Sequence, residues 1–183
     1  IATDPAVASQ IREKADYIRR QALLIGQLVS DLNLTSKLEY QSQPLRRESF
    51  HPALLLRECV AEYYNQGLPE EYEIDLQIEP EAEGTRLCGD TALLLRAFRN
   101  LIGNRIRHNP DGCQISVSLE MEENGVRFLF SDTGKGIPDH IAESLTGNEK
   151  AAAGFHIMGL RIVKQIMEAH GGKMEFRQGI SGN

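Results

Sequence analysis

The chain has 183 residues, 41% of them hydrophobic and 25% charged, a composition that suits one compact domain of ordinary size plus an appendage and excludes a disordered chain. A formal net charge of −6 excludes broad electrostatic capture of nucleic acid or of an anionic membrane, so any phosphate chemistry must rest on local basic groups and backbone amides. Cys59, Cys88 and Cys113 are odd in number and lack CxxC spacing, which implies a reducing compartment with neither a disulfide framework nor a zinc site.

From about Pro5 to Tyr40 the sequence predicts one long helix, with no internal proline and a single glycine. Ile11, Ala15, Ile18, Ala22, Ile25, Val29 and Leu32 alternate spacings of four and three, a heptad seam. One helix cannot bury such a seam alone. It docks either on its own domain or, the reading we prefer, as half of a helical hairpin that pairs with a missing helix and a second subunit. The pattern breaks around Gln43-Pro44, where a domain boundary is expected. A helix follows from Pro52, a residue suited to a first turn, and ends near Gly67-Leu68-Pro69. Tyr72, Ile74, Leu76 and Ile78 alternate with polar residues and predict a strand with one wet face. Asp90 can cap the next helix, which runs to about His108. Gln114 to Glu120 and Val126 to Ser131 predict a hairpin through Glu122-Glu123-Asn124-Gly125. The loop DTGKGIP, a short helix and a small-residue loop come next, then a helix from Gly159 to His170 stopped by Gly171-Gly172. Lys173 to Arg177 is expected to form another strand. Strands and helices mix without strict alternation, which predicts an α+β sandwich rather than a doubly wound sheet. No apolar run approaches the ~20 residues of a membrane helix, and no signal peptide is expected among these residues. The sequence starts at Ile1 and stops at Ser181-Gly182-Asn183, so it is expected to be a fragment.

Two stretches carry chemistry. On a helical wheel for the segment after Asp90, Leu94, Leu95, Phe98, Leu101, Ile102 and Ile106 gather on one broad side, while Asn100, Asn104 and Arg107 form a narrow stripe at i, i+4, i+7. Asparagine is a poor helix former because its amide competes for backbone groups, so two of them one turn apart ask for another purpose. An amide oxygen is a neutral hard ligand for Mg²⁺, and an arginine at the helix end can meet a phosphate with two parallel hydrogen bonds. The second stretch, FLFSDTGKGIP, puts Asp132 at a strand end followed by Gly134 and Gly136. The glycines let backbone approach a flat ligand closely, and the carboxylate can accept a hydrogen bond from an exocyclic amine such as adenine offers. GxxxxGK[ST] is absent, which excludes a P-loop site.

NLIGNRIRHNP, then DTGKGIP, then HIMGLRIVKQIMEAHGG, in this order, resembles the N box, G1 box and G2 box of sensor histidine kinases, whose ATP-binding fold is shared with gyrase-type ATPases. The resemblance covers roughly Pro44 to Arg177, and DLNLTSKLEYQ before it resembles the end of the second helix of the kinase dimerisation hairpin. It implies residues 1–43 as that helix, its partner helix being absent, and residues 44–183 as the catalytic domain without its last strand. It implies a two-layer sandwich in which a mixed sheet is backed by about three helices, with ATP and Mg²⁺ as ligands. Asn104 then matches the Mg²⁺-binding asparagine, and Asn100 the polar residue one turn before it. Arg107 matches the usual phosphate-contacting lysine, and His108 the aromatic or histidine that follows. Asp132 matches the adenine-binding aspartate, Gly134 and Gly136 the G1 glycines with Ile137 beside them. Gly159 and Leu160 match the last Gly-Leu of the G2 box, whose helix N-terminus should face the phosphates; His156 falls near the nucleotide.

The chain departs from that pattern in three places. Phe155-His156-Ile157-Met158-Gly159 has fewer glycines than a G2 box, and the lid between Pro138 and Gly159 is short and lacks the phenylalanine-rich F box. Arg105 stands where the family usually has a small alanine, with a stem able to snorkel. None of the five histidines lies in a phosphoacceptor setting, so the acceptor helix is expected before Ile1. Gyrase-type relatives activate water with a glutamate where this chain has Asn100, and an amide cannot take a proton at neutral pH. The expected function is therefore transfer of the γ-phosphoryl group to a histidine, in a homodimer, for relay to a response regulator. The expected location is the cytoplasm, with any anchor in the bacterial inner membrane supplied by absent parts of the parent. Two rivals are an anti-sigma-factor-type serine kinase, which would not need the heptad helix, and a nucleotide-free regulatory dimer module.

Overall fold

The computed structural model describes residues 5–39, 44–134 and 155–176. Helix α1 (Pro5–Glu39) leads to strand β1 (Glu48–Phe50), helix α2 (Pro52–Asn65), strand β2 (Tyr72–Ile78), the single turn α3 (Pro80–Glu83), strand β3 (Leu87–Gly89), helix α4 (Thr91–His108), strands β4 (Cys113–Glu122) and β5 (Gly125–Asp132), and helix α5 (Phe155–Ala169). The class is α+β. Strands β2, β4 and β5 form a mixed sheet in that order, β2 parallel to β4 and β4 antiparallel to β5, while β1 and β3 pair as a separate antiparallel ribbon.

One core joins sheet to helices. Ile115, Val117 and Leu119 point inward at alternate positions of β4 and are fully buried, as strand pleating dictates. Against them lie Leu94, Ala97, Phe98 and Ile102 of α4, a three-four spacing that makes one helical stripe. Phe98 packs its ring against Phe128 and Phe130 of β5, with centroids 4.9 and 5.5 Å apart. Leu56 and Cys59 of α2 and Ile162, Val163 and Ile166 of α5 close the layer. Each such fully buried large side chain contributes roughly 1.5–3 kcal/mol.

Local signals explain most boundaries. Pro52 opens α2, and the Asp90 side chain accepts from the Leu93 N–H at 3.2 Å to cap α4. Gly171, at φ 79°, takes the left-handed conformation that ends α5, with the Gly172 N–H bonded to the Met167 carbonyl at 2.8 Å. Two expectations are corrected. The last helix begins at Phe155, four residues before Gly159. Lys173 to Phe176 form no strand, because a strand exists only where another accepts its backbone, and no described strand does; Arg177 lies outside the described residues. The ribbon of β1 and β3 carries no alternation long enough to read from sequence.

The first helix spans the expected range and packs its C-terminal half on the domain. It meets α5, Leu34 touches the core, and Arg96 of α4 donates to the Ser30 hydroxyl at 3.1 Å. The seam itself stays outside: Ile11, Ile18, Ile25, Val29 and Leu32 are 54–65% exposed. The boundary expected at Gln43-Pro44 falls where residues 40–43 lie outside the described residues. No helix among the described residues is long and apolar enough to cross a membrane.

Candidate functional site

Helix α4 carries the polar stripe opposite its buried face. Asn100 and Asn104 are half-buried because α5 packs across them. A Cβ built on Gly159 would stand 3.6 Å from Asn104 Nδ2 and 4.0 Å from Asn100 Cγ. Both Nδ2 atoms are buried and meet no hydrogen-bond partner among the described residues. A buried amide N–H left unmade costs ~1–3 kcal/mol, so two in one stripe mark a place shaped for something other than packing. Arg107, exposed in the last turn, reaches the Asn104 Oδ1 from its Nη1 at 3.4 Å.

Asp132 ends β5 opposite Ile115, and three groups hold its carboxylate. Oδ1 accepts from the Gly134 N–H at 3.0 Å and from Asn109 Nδ2 at 3.2 Å. Oδ2 lies 3.5 Å from Arg105 Nε, an ion pair whose side chains are only 16% and 20% exposed. Asn109 follows the last residue of α4, is itself buried, and also donates from Nδ2 to the Arg105 carbonyl at 2.9 Å. The Tyr72 hydroxyl, from the sheet, donates to the Asn109 and Ile106 carbonyls at 2.8 and 3.1 Å, tying down the helix end. Gly134 approaches so closely that a Cβ there would lie 1.8 Å from Asn109 Oδ1. Its need for glycine is therefore steric, and the side chain it must clear belongs to the protein.

The sequence profile of the histidine kinase-, DNA gyrase B-, and HSP90-like ATPases matches residues 89–182, half of the chain, and takes in both the stripe and Asp132. The chain belongs to that ATPase family. It is similar to a sensor histidine kinase of Bacillus subtilis, YvrG, with 26% identity over 89% of this chain and 29% of that protein. It thus spans less than a third of that relative's length. Among solved structures it shares its fold with the histidine kinase AdeS of Acinetobacter baumannii, at a TM-score of 0.62, 19% identity and coverage of 92% and 76%. It also shares it with the histidine kinase ThkA in complex with the response regulator protein TrrA, at 0.65, 20%, 97% and 50%.

In this ATPase-family domain the predicted site residues fall into three sets. Asn100, Asn104 and Arg107 lie along one face of α4 with Gly159 against the asparagines, and His108 is exposed at the end of the same helix. Asp132 and Gly134 meet at the end of β5, joined to α4 through Arg105 and Asn109. Leu160 is buried in the core and lies inside α5, past its first turn, so its side chain packs and its N–H is taken by the helix itself. Gly136, Ile137 and the side chain of His156 lie outside the described residues. The donor set suits Mg²⁺. The stripe offers neutral amide oxygens, and among the described residues no three His, Cys, Asp or Glu side chains cluster to hold a metal. Neutral amide oxygens are hard donors of the kind Mg²⁺ accepts while keeping most of its waters.

Arg105 is the main correction. Its guanidinium does not snorkel. It turns inward, donating from Nη1 to the Leu101 carbonyl at 2.9 Å and from Nη2 to the Phe130 carbonyl, and sits 5.9 Å from the centre of the Phe130 ring. Burial lowers its pKa while the Asp132 charge opposes that shift. Burial raises the neighbouring Cys113 thiol, and Asp132 raises it further. Sequence reasoning missed Arg105 and Asn109 as parts of the site. A charge on the apolar side of a helix was the available signal, since it demands a buried counter-charge.

Proposed function

We propose that this domain binds Mg-ATP and transfers its γ-phosphoryl group to a histidine on a separate helix, for relay to an aspartate of a response regulator. The observation that carries the reading is the pair of unmet amide N–H groups of Asn100 and Asn104, aligned on α4 beside Gly159, with Arg105 of the same helix paired to Asp132. Asp132 accepts from the adenine 6-amino group, with Gly134, Gly136 and Ile137 shaping the base pocket. Asn104 would hold Mg²⁺, which when bound neutralises charge on the phosphates. Arg107 contacts phosphate, His108 and His156 flank the nucleotide, and the N-terminal turn of α5, just ahead of Gly159 and Leu160, presents its free backbone N–H groups to it. Asn100, unable to deprotonate water, leaves hydrolysis slow and the phosphoryl group available for transfer.

Residues 1–43 serve as the second helix of a dimerisation hairpin and residues 44–183 as the catalytic domain of a longer, homodimeric protein. The exposed seam on α1 supports the first assignment. The sensor-kinase relative and the structure of ThkA with TrrA support a response regulator as the onward partner. Any membrane anchor belongs to other parts of that protein, whose catalytic region works in the cytoplasm.

The test is phosphorylation of the full-length protein with γ-labelled ATP and Mg²⁺. Label should appear on protein as an acid-labile, alkali-stable phosphohistidine, vanish in Asn104→Ala, and give way to released phosphate in Asn100→Glu. Label recovered only as free phosphate from the wild-type protein would contradict transfer.

A further inference from the structure

Asp132 stands on a free-ended torsion at the close of a strand, where either carboxylate oxygen could turn toward a ligand. Two of its restraints are local to the loop and the helix end: the Gly134 N–H and the Asn109 amide, both on Oδ1. The third is not local. Arg105 reaches across from the apolar side of α4 and sets its Nε 3.5 Å from Oδ2, a charge contact without a hydrogen bond from that buried nitrogen, while its two other nitrogens are fixed on the carbonyls of Leu101 and Phe130. A leucine or methionine would fill that space without desolvating a charge. What the guanidinium adds is a rigid, planar counter-charge spanning helix and strand, with its fork pre-organised by two carbonyls.

Resting on the nucleotide-binding reading above, we infer that Arg105 is a positioning residue for base recognition: it holds the Asp132 carboxylate in the one orientation that accepts from adenine's 6-amino group. Arg105 touches no nucleotide in this account. It acts by anchoring Oδ2, so that Oδ1 and the open edge of the carboxylate keep a fixed aim. Because Arg105 directly follows Asn104 on α4, the same helix carries both the group that orients the base-reading carboxylate and the amide assigned to the metal. A general packing role would affect every ligand of the domain alike. An orienting role affects only ligands that offer a donor to Asp132.

The experiment is a calorimetric comparison of ATP with purine riboside 5′-triphosphate, which carries hydrogen in place of the 6-amino group, each with Mg²⁺. It uses the whole chain, Arg105→Ala, Arg105→Lys and Asp132→Asn. The wild type should prefer ATP by about tenfold or more, the usual worth of a hydrogen bond to a charged group. Arg105→Ala should lose most of that preference while its affinity for the 6-hydrogen analogue stays unchanged. Arg105→Lys, which keeps charge and stem but not the fork, should lie between them and carries the test alone if the alanine variant does not fold. Adding Arg105→Ala to Asp132→Asn should remove nothing further. Equal losses for both triphosphates, or an unchanged preference, would overturn the inference. Failure of the wild type to bind either triphosphate would overturn the nucleotide reading itself.

Discussion

Cys59 shows how burial alone sets the chemistry of a side chain in this domain. It is fully buried beneath α2, and desolvation pushes its thiol up from the ordinary 9.0 to about 12, against a smaller opposite pull from Arg99. A folded-state pKa above the unfolded one means that the stability tied to the neutral thiol is complete below about pH 9 and is lost as pH rises toward 12. The thiolate, not the thiol, is the nucleophile. A thiol reagent near neutral pH should therefore modify exposed Cys88 quickly, half-buried Cys113 slowly and Cys59 only on unfolding; rapid labelling of Cys59 in the folded chain would show that the core is open. The same logic separates the polar residues that sequence reasoning caught from those it missed. Asn100 and Asn104 announced themselves because two amides in a helix are costly at any exposure. Asn109 did not, since an asparagine before a proline at a helix end is ordinary capping chemistry. Its part appears only in the fold, where it donates to Asp132 Oδ1 and lies where a side chain on Gly134 would have to go.

Among the elements, α1 poses an energetic problem. Five large apolar side chains of its seam are more than half exposed, and a stripe of that length marks an interaction face. Among the described residues the helix is held to the domain by Leu34, by the Ser30–Arg96 hydrogen bond and by contact with α5. The rest is expected to pair with another copy. Sedimentation should find the chain self-associated, and Ile18→Asp with Ile25→Asp should return it to a monomer without altering the melting of the catalytic domain. A wild-type chain that stays monomeric at tens of micromolar would contradict the pairing. Elements with strong periodicity were legible from sequence: α1, α4 and strand β2 fall where their apolar spacing placed them. The short ribbon β1–β3 was not, because three-residue strands have no period and owe their existence to tertiary pairing. The start of α5 was misplaced because Gly159 reads as a helix boundary. In the folded domain it is an interior position, where α5 packs close to the asparagine stripe.

Over the whole molecule the site is an arrangement of α4 between two partners. The sheet presents Asp132 at one end of the helix, and α5 lies along its polar stripe. The Asp90 cap region ties these parts together: Asp90 Oδ2 accepts from the Arg46 N–H at 3.0 Å, and the Asp90 N–H donates to His170 Nε2 at 2.9 Å just beyond α5. Gly89 leaves room for that ring, since a Cβ there would lie 2.8 Å from His170 Cδ2. The helix bearing the asparagines and the helix bearing Gly159 are thus registered at a shared end, away from the ligand. In the proposed function this arrangement binds Mg-ATP through Asp132. Its most direct test is calorimetric titration of Mg-ATP and Mg-ADP into the chain and into Asp132→Asn. The asparagine variant is the safer one: both substitutions remove the counter-charge of Arg105, but asparagine keeps an oxygen able to accept from the Gly134 N–H and Asn109, which alanine would leave unmet. The wild type should bind saturably, and the variant should lose about tenfold or more in affinity. A folded wild-type chain that takes up no nucleotide at millimolar concentration would contradict it.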